Sequence, residues 1–185
     1  MCGISGIFSN DPDLRQRIGA MNDALLHRGP DAGAVWAEGP VALGHRRLSI
    51  IDVSEAAHQP MVSACGRYVI AFNGEVYNFR QLAEKLKADF PETYGRSGFR
   101  TQSDTEVVLE LFAAYGPGSV KLLNGMFAYA VYDRQEAKLF LFRDRVGIKP
   151  LFYSLQKTNL SFASELRSLM KALSLKTTLL PACLK

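Results

Sequence analysis

A cysteine stands directly behind the first methionine, in the sequence MCGISGIF. A thiol becomes a nucleophile only when a base removes its proton. If Met1 is removed, Cys2 carries a free α-amino group with a pKa of ~7.7–8.0, close to the ~8.5 of a free thiol. Cys2 would then supply both the nucleophile and the proton shuttle. The alternative is an ordinary residue at the start of a buried strand, and this short motif does not decide between the two.

An Asn-Gly pair, Asn73-Gly74, follows an apolar run that ends at Phe72. Such a pair after a strand is typical of a tight turn, because Gly tolerates positive φ. The pair can also direct a side-chain amide and a backbone N–H to one place, which is how an oxyanion hole stabilises charge in a transition state. The residues alone favour the turn and leave the oxyanion hole open.

Two charged residues, Arg47 and Asp104, have the chemistry to hold a free amino acid. Arg47 ends a largely apolar stretch, and a guanidinium binds a carboxylate through two parallel hydrogen bonds. Asp104 lies in the first turn of an expected helix, where an acid usually favours the helix dipole. Together the two residues have the charges to bind the α-carboxylate and the α-ammonium group of one ligand.

The spacing of apolar residues predicts the elements that position these side chains. We expect strands over residues 4–8, 34–36, 41–45, 68–72, 126–133, 138–143, 151–155 and 160–163. A first helix carries Leu14, Ile18, Met21 and Leu25, and further helices follow Asn78, Ser103 and Ser164. Ser103 and Glu106 have the spacing of a capping box. The order lacks regular βαβ alternation and predicts an α+β domain of antiparallel sheets with segregated helices.

Composition excludes several classes of function. The chain of 185 residues has a formal net charge of +4, with its basic residues dispersed, so no nucleic-acid partner is expected. No apolar run is long enough for a membrane span, and no secretory signal is evident. Three separated cysteines without a CxxC pair predict neither disulfides nor a metal site, and they favour a reducing, cytoplasmic location.

Seven separated motifs resemble the glutaminase domain of asparagine synthetases, which are class II glutamine amidotransferases of the N-terminal-nucleophile hydrolase superfamily. The motifs are MCGISGIF, HRGPD, RLSIID, NGEVYN, SDTEV, RDRVGIKPLFY and FASELRSL. The resemblance covers residues 2–173. It implies a four-layer αββα sandwich of two antiparallel sheets, and an enzyme that hydrolyses L-glutamine to glutamate and ammonia.

The resemblance also implies a role for each matching residue. Cys2 is the nucleophile, with its own freed amine as the base, and Asn73 and the amide of Gly74 form the oxyanion hole. Arg47 binds the α-carboxylate of glutamine and Asp104 binds the α-ammonium group. Glu75 and main-chain groups near Leu48 and Ile50 help to seat the substrate. The three histidines, His27, His45 and His58, need no catalytic role.

The chain departs from the family in three places. The segment 90–98 is a few residues longer than usual, and we expect it near the glutamine site as a lid, a partner contact or a variable surface loop. Residues 174–185 form a tail that stops resembling the family. The synthetase domain is absent, so we expect no cofactor in this chain; ATP and Mg belong to a separate synthetase domain or chain that receives the ammonia. A non-catalytic glutamine-binding or regulatory module is the alternative function.

Overall fold

The computed structural model describes residues 1–10, 12–48, 57–95 and 98–173. The strands within these ranges are β1 (Gly3–Phe8), β2 (Ala32–Glu38), β3 (Val41–Arg47), β4 (Met61–Val62), β5 (Tyr68–Val76), β6 (Gly125–Asp133), β7 (Lys138–Arg143), β8 (Phe152–Gln156) and β9 (Asn159–Ala163). The α-helices are α1 (Leu14–Asp23), α2 (Phe79–Asp89), α3 (Asp104–Tyr115) and α4 (Leu166–Leu173).

The strands form two antiparallel sheets. One sheet has the order β2-β3-β1-β9-β8 and the other has the order β4-β5-β6-β7. Hairpins join β6 to β7 and β8 to β9, as the sequence predicts. Strand β1 lies in the middle of the first sheet, paired with β3 on one side and β9 on the other. The N-terminal residues are therefore held at the end of a central strand.

Three apolar layers hold the sheets and helices together. Between the two sheets lie Ile4 and Leu43 of the first sheet and Val69 and Ala130 of the second. A second layer packs α1 and α4 on the outer face of the first sheet, and a third packs α2 and α3 on the outer face of the second. The predicted four-layer αββα sandwich is thus confirmed, because each sheet buries one face against its partner sheet and the other against helices.

The predicted elements agree with the structure except in three places. Helix α1 ends at Asp23, before Leu25, and the short strand β4 is not predicted. The third difference is the Asn-Gly pair. Strand β5 does not end at Phe72 but continues to Val76, with Asn73 opposite Ala128 and Gly74 opposite Phe127 of β6. The tight turn that the pair favours is therefore not formed. Pairing with a long neighbouring strand overrides the local turn preference. A Cβ at Gly74 would lie 2.6 Å from the carbonyl oxygen of Met126, so a close approach of strands explains this glycine.

The helix starts lie where the sequence places them, but the caps differ from the expected pattern. Ser103 Oγ accepts a hydrogen bond from the Thr105 amide at 3.1 Å, as an N-cap should. Glu106 does not complete the box; its carboxylate accepts from the amides of Arg100 and Thr101 instead. Asn78 precedes α2 but bonds the main chain of Asn124 rather than its own helix. Both polar side chains thus tie a helix start to a neighbouring loop.

Candidate active site

Three strands carry rows of inward-facing side chains to the same end of the sandwich, where the rows change from apolar to polar. Alternate residues of a strand face the opposite sheet. In β1 Ile4 is preceded by Cys2; in β3 Val41 and Leu43 are followed by His45 and Arg47; in β5 Val69 and Ala71 are followed by Asn73. The inter-sheet core therefore ends in a thiol, a guanidinium and an amide.

A cavity of about 240 Å³ opens at this polar end. Its wall contains every described residue that the sequence analysis assigned to the site, namely Cys2, Arg47, Leu48, Asn73, Gly74, Glu75 and Asp104. Ile50, which the analysis also assigned, lies outside the described residues. Residues from 2 to 104 in the sequence thus meet around one cavity.

Cys2 is half-buried at the cavity wall, next to the end of β3. Its Sγ lies 3.4 Å from the amide nitrogen of Leu48 and 3.7 Å from the carbonyl oxygen of the same residue. Arg28 Nε donates a hydrogen bond to the Cys2 carbonyl oxygen at 2.9 Å, and Glu165 accepts from Arg28 at 3.0 Å. Met1 also lines the cavity. The backbone of Cys2 is held firmly, while its side chain faces the cavity.

The side-chain amide of Asn73 has a hydrogen-bond donor without an acceptor among the described residues. The residue is 2% exposed, and its Nδ2 makes no hydrogen bond with any other described part of the chain. A buried donor without an acceptor costs about 1–3 kcal/mol, so such groups are rare unless a ligand or water completes them. Asn73 lines the cavity, and its free N–H groups are available to a bound molecule.

The outer edge of β5 directs one backbone amide to the same place. Strand β4 pairs only with Val69 and Ile70, so the edge beyond them lacks a neighbouring strand in the described structure. At Phe72 the edge is bonded by side chains, and at Val76 the amide donates to Asp104 Oδ2 at 2.9 Å. Backbone groups alternate along a strand, so the Gly74 N–H between them points to this edge. No hydrogen bond from it to a described side chain or loop is present, and Gly74 lines the cavity.

Asp104 is a buried acid at the start of α3, with 4% of its surface exposed. Burial raises the pKa of its carboxyl above the ordinary value; hydrogen bonds from the amides of Val76 and Thr105 oppose this rise, and the nearby charge of Glu75 adds to it. A buried carboxylate is costly unless a cation accompanies it. Asp104 lines the cavity, where an ammonium group of a ligand would meet this need.

Arg47 is the last residue of β3 and is also buried, with 7% exposed. Its backbone is fixed on one side by Ala32 of β2 and by the amide of Asp31, which donates to the Arg47 carbonyl oxygen at 3.1 Å. Its side chain belongs to the inward row of β3 and reaches the cavity wall. The cavity therefore contains one buried cationic and one buried anionic side chain from different elements.

Several residues that line the cavity were not assigned to the site from the sequence, among them Gln59, Met126 and Lys149. Lys149 is buried although lysine is usually exposed, and its amide donates to Asp144 Oδ2 at 3.0 Å. Lys149 lies in the motif RDRVGIKPLFY, so the motif was a signal for it. Gln59 precedes Pro60 in an unremarkable loop, and nothing in the local sequence marks it as part of a site.

None of the three histidines, all of which are described, lines the cavity. His45 is fully buried, and burial lowers its pKa to about 3, so it is neutral at working pH. His27 bonds Glu165 at 2.9 Å. These contacts agree with the expectation that the histidines bond other parts of the protein rather than take part in the chemistry.

The long segment 90–98 does not lie at the cavity in its described part. Phe90 packs edge-on against Tyr94 and Tyr115, and Tyr94 stacks on Phe99. The Tyr94 hydroxyl donates to Glu110 Oε2 at 3.0 Å. These contacts fix the segment, including the helical turn Pro91–Gly95, against α3, and its described residues do not line the cavity as a lid would.

The chain shares its fold with two solved structures. The structure resembles that of glutamine PRPP amidotransferase from B. subtilis complexed with ADP and GMP, with a TM-score of 0.75 over 92% of this chain and 43% of that chain. At 23% identity this likeness concerns the fold alone. A second solved structure, of the allosteric regulatory enzyme of purine biosynthesis, has a TM-score of 0.74.

The sequence then assigns the family. The family model of the glutamine amidotransferase domain matches residues 1–185, and the chain belongs to this family. Asparagine synthetase [glutamine-hydrolyzing] 1 of Bacillus subtilis is 41% identical over 177 residues, which is 93% of this chain and 27% of that protein. Asparagine synthetase B of Escherichia coli is 37% identical over 92% of this chain and 30% of its own length. The chain thus spans less than a third of either relative.

The described residues include neither a membrane-spanning helix nor a cluster of metal ligands. None of the helices in this part of the chain is both long and apolar enough to cross a bilayer. Within the same ranges, no group of three or more histidine, cysteine, aspartate or glutamate residues is arranged to hold a metal ion.

Proposed function

We propose that this chain hydrolyses L-glutamine to glutamate and ammonia through a thioester on Cys2. The observation that supports it best is the unpaired amide of Asn73, buried in the same cavity as the Cys2 thiol. Buried donors without an acceptor are uncommon in folded proteins, and beside a cavity a bound ligand can supply the acceptor. An oxyanion that forms next to Cys2 would provide the missing acceptor.

In this proposal the two buried charges bind the two ends of the substrate backbone. Arg47 forms paired hydrogen bonds with the α-carboxylate, and Asp104 accepts from the α-ammonium group. In the same proposal, Glu75 and the main chain near Leu48 and Ile50 complete the substrate-binding site. When both α-groups are bound, only the side chain of glutamine can extend further into the cavity, and this brings its amide carbon to the thiol.

The chemistry then uses groups of Cys2 and the edge of β5. The α-amine of Cys2 takes the thiol proton, and Sγ attacks the amide carbon, so that a C–S bond forms and the carbonyl oxygen becomes an oxyanion. Asn73 Nδ2–H and Gly74 N–H donate hydrogen bonds to this oxyanion. The amine returns its proton to the departing nitrogen, the C–N bond breaks and ammonia leaves. Water then hydrolyses the thioester to glutamate and restores the thiol.

Removal of Met1 is a requirement of this mechanism. While Met1 is attached, the nitrogen of Cys2 is part of a peptide bond and is not basic. Met1 itself lines the cavity, so it also occupies space beside the thiol. Both effects end when the methionine is removed.

We further propose that the ammonia serves an amidation like that of the asparagine synthetases that the chain resembles. ATP and Mg would then act in a separate synthetase domain or chain. Exposed apolar side chains support such a partner: Val146 is 80% exposed and Ile148 is 57% exposed, in the loop that brings Lys149 to the cavity. The cytoplasmic location remains a prediction from the cysteine content.

The decisive measurement is glutamate release by purified protein whose N-terminal mass has been verified. We expect turnover when Cys2 is the first residue, and none for Cys2→Ala or for a form with an N-terminal extension. Cys65→Ala is the matched control, since Cys65 is an exposed free cysteine and should leave the rate unchanged. Binding of glutamine without turnover in the mature form would instead establish the non-catalytic glutamine-binding module.

A further inference from the structure

At Phe72, the residue before Asn73, the edge of β5 that lacks a neighbouring strand forms hydrogen bonds with side chains. Its amide donates to Gln59 Oε1 at 2.6 Å, and its carbonyl oxygen accepts from His45 Nε2 at 3.1 Å. A neighbouring strand normally provides both partners. Here two side chains from other parts of the fold replace that strand.

Each of these side chains is itself held in place. Gln59 Nε2 donates to Thr105 Oγ1 at 3.2 Å, so both ends of the amide are used. Thr105 follows Asp104 in the first turn of α3. His45 belongs to β3 of the opposite sheet and is completely buried. Phe72 is therefore tied to the other sheet and to the helix that carries Asp104.

The bond to the Phe72 carbonyl also determines the tautomer of His45. A carbonyl oxygen only accepts, so Nε2 must carry the hydrogen. Because burial lowers the pKa of His45 to about 3, the ring is neutral and Nδ1 carries no hydrogen. His45 Nε2 therefore donates this hydrogen bond to β5 over the whole working pH range.

We propose that Gln59 and His45 are positioning residues for the oxyanion hole, acting through Phe72. By occupying the edge of β5 at Phe72, they set the orientation of the next two peptide units. The Asn73 side chain then faces the inter-sheet cavity, and the Gly74 N–H points to the open edge. This inference rests on the proposed function and adds two residues that do not touch the substrate's reacting atoms.

Gln59 tests the proposal best, because Gln59→Met keeps the side-chain length and removes both hydrogen bonds. We expect kcat for glutamine hydrolysis to fall about 10- to 100-fold, since a misplacement of about 1 Å can cost 10²-fold. The KM should change less than threefold, because the oxyanion forms only after binding. The rate at which iodoacetamide alkylates Cys2 should stay constant, because that reaction forms no oxyanion.

His45 provides a rescue test. His45→Leu removes the donor and should also lower kcat more than it raises KM. His45→Gln keeps an N–H donor and should recover most of the lost kcat. A histidine that only fills space would give equal kinetics in the two variants.

Ser63→Ala is the matched control, because Ser63 bonds the first residue of β5. Ser63 Oγ accepts from the Tyr68 amide at 3.0 Å, at the end of β5 remote from Asn73. Both Ser63→Ala and Gln59→Met remove a hydrogen bond from the edge of β5 and should lower the melting temperature, but Ser63→Ala should leave kcat unchanged. Equal kcat losses in both variants, or an unchanged kcat in Gln59→Met, would overturn the positioning role. A wild-type protein that releases no glutamate would instead overturn the proposed function itself.

Discussion

Helix α3 carries three buried acids in two different settings. Glu110 uses both carboxylate oxygens within the protein: Oε1 accepts from the Ala64 amide at 2.7 Å and Oε2 from the Tyr94 hydroxyl. Glu106 likewise accepts from the amides of Arg100 and Thr101. Asp104 accepts from main-chain amides but lies at the wall of a cavity. Glu106 and Glu110 thus stabilise neighbouring segments of the chain, whereas Asp104 faces the space for a ligand.

The hydrogen-bond partners of these acids, rather than their pKa values, distinguish the two settings. Burial raises the pKa of both Asp104 and Glu110, so the direction of the shift does not distinguish a structural acid from a binding one. The same contrast holds for two amides: Gln59 uses both of its polar atoms, and Asn73 leaves its Nδ2 unpaired among the described residues. Incomplete hydrogen bonding beside a cavity is the feature that marks the site.

Asn73→Ala should have the largest effect of the substitutions that test this contrast. It removes one donor to the oxyanion, and we expect kcat to fall about 10²- to 10³-fold with little change in KM. Because Asn73 Nδ2 has no partner to lose, the free energy of unfolding should barely change. Steady-state kinetics and a thermal melt check both statements. A change in KM alone would mean that Asn73 only binds the substrate.

Asp104→Asn should have the next largest effect, on binding rather than turnover. Loss of a charged hydrogen bond of about 1.5–3 kcal/mol predicts a KM for glutamine roughly 10- to 100-fold higher. Since burial already disfavours the carboxylate, the melting temperature should not fall. An acid that serves only the helix dipole would give the opposite result, with lower stability and unchanged KM.

The pH dependence of the wild type gives an independent check on Asp104. Its pKa in the folded state is raised, so the carboxyl takes up a proton at a higher pH than an ordinary aspartate. We expect the KM for glutamine to rise as the pH falls through this region, while the destabilisation from the buried charge is relieved. In Asp104→Asn this rise in KM should be absent.

Tyr94→Phe should have the smallest kinetic effect, because it removes a hydrogen bond to Glu110 and neither residue lines the cavity. It leaves Glu110 Oε2 without its donor, at a cost of about 1–3 kcal/mol in the free energy of unfolding. Both kcat and KM should stay within twofold of the wild type. Altered kinetics would show that segment 90–98 communicates with the cavity after all.

Much of the fold follows from local patterns in the sequence. Strands β6 and β7 and helix α3 have clear periodicity and turn or cap signals, and their bounds agree with the prediction within a residue or two. Asn73-Gly74 shows the limit of this reasoning. Its local preference is for a turn, yet pairing with β6 keeps it in a strand. Short β4 and the cap contacts of Glu106 also depend on distant partners that no local pattern reveals.

The sequence by itself determined the family and most residues of the candidate site, because its motifs carry chemical groups whose types are specific. Cys2, Arg47, Asn73 and Asp104 all stand in such motifs. Only the tertiary structure decided how they meet: three inward rows of two sheets end together, and Asp104 enters from a helix. It also decided that Gln59 and His45 bond Phe72, since hydrogen bonds between residues far apart in the chain exist only once both sheets have packed.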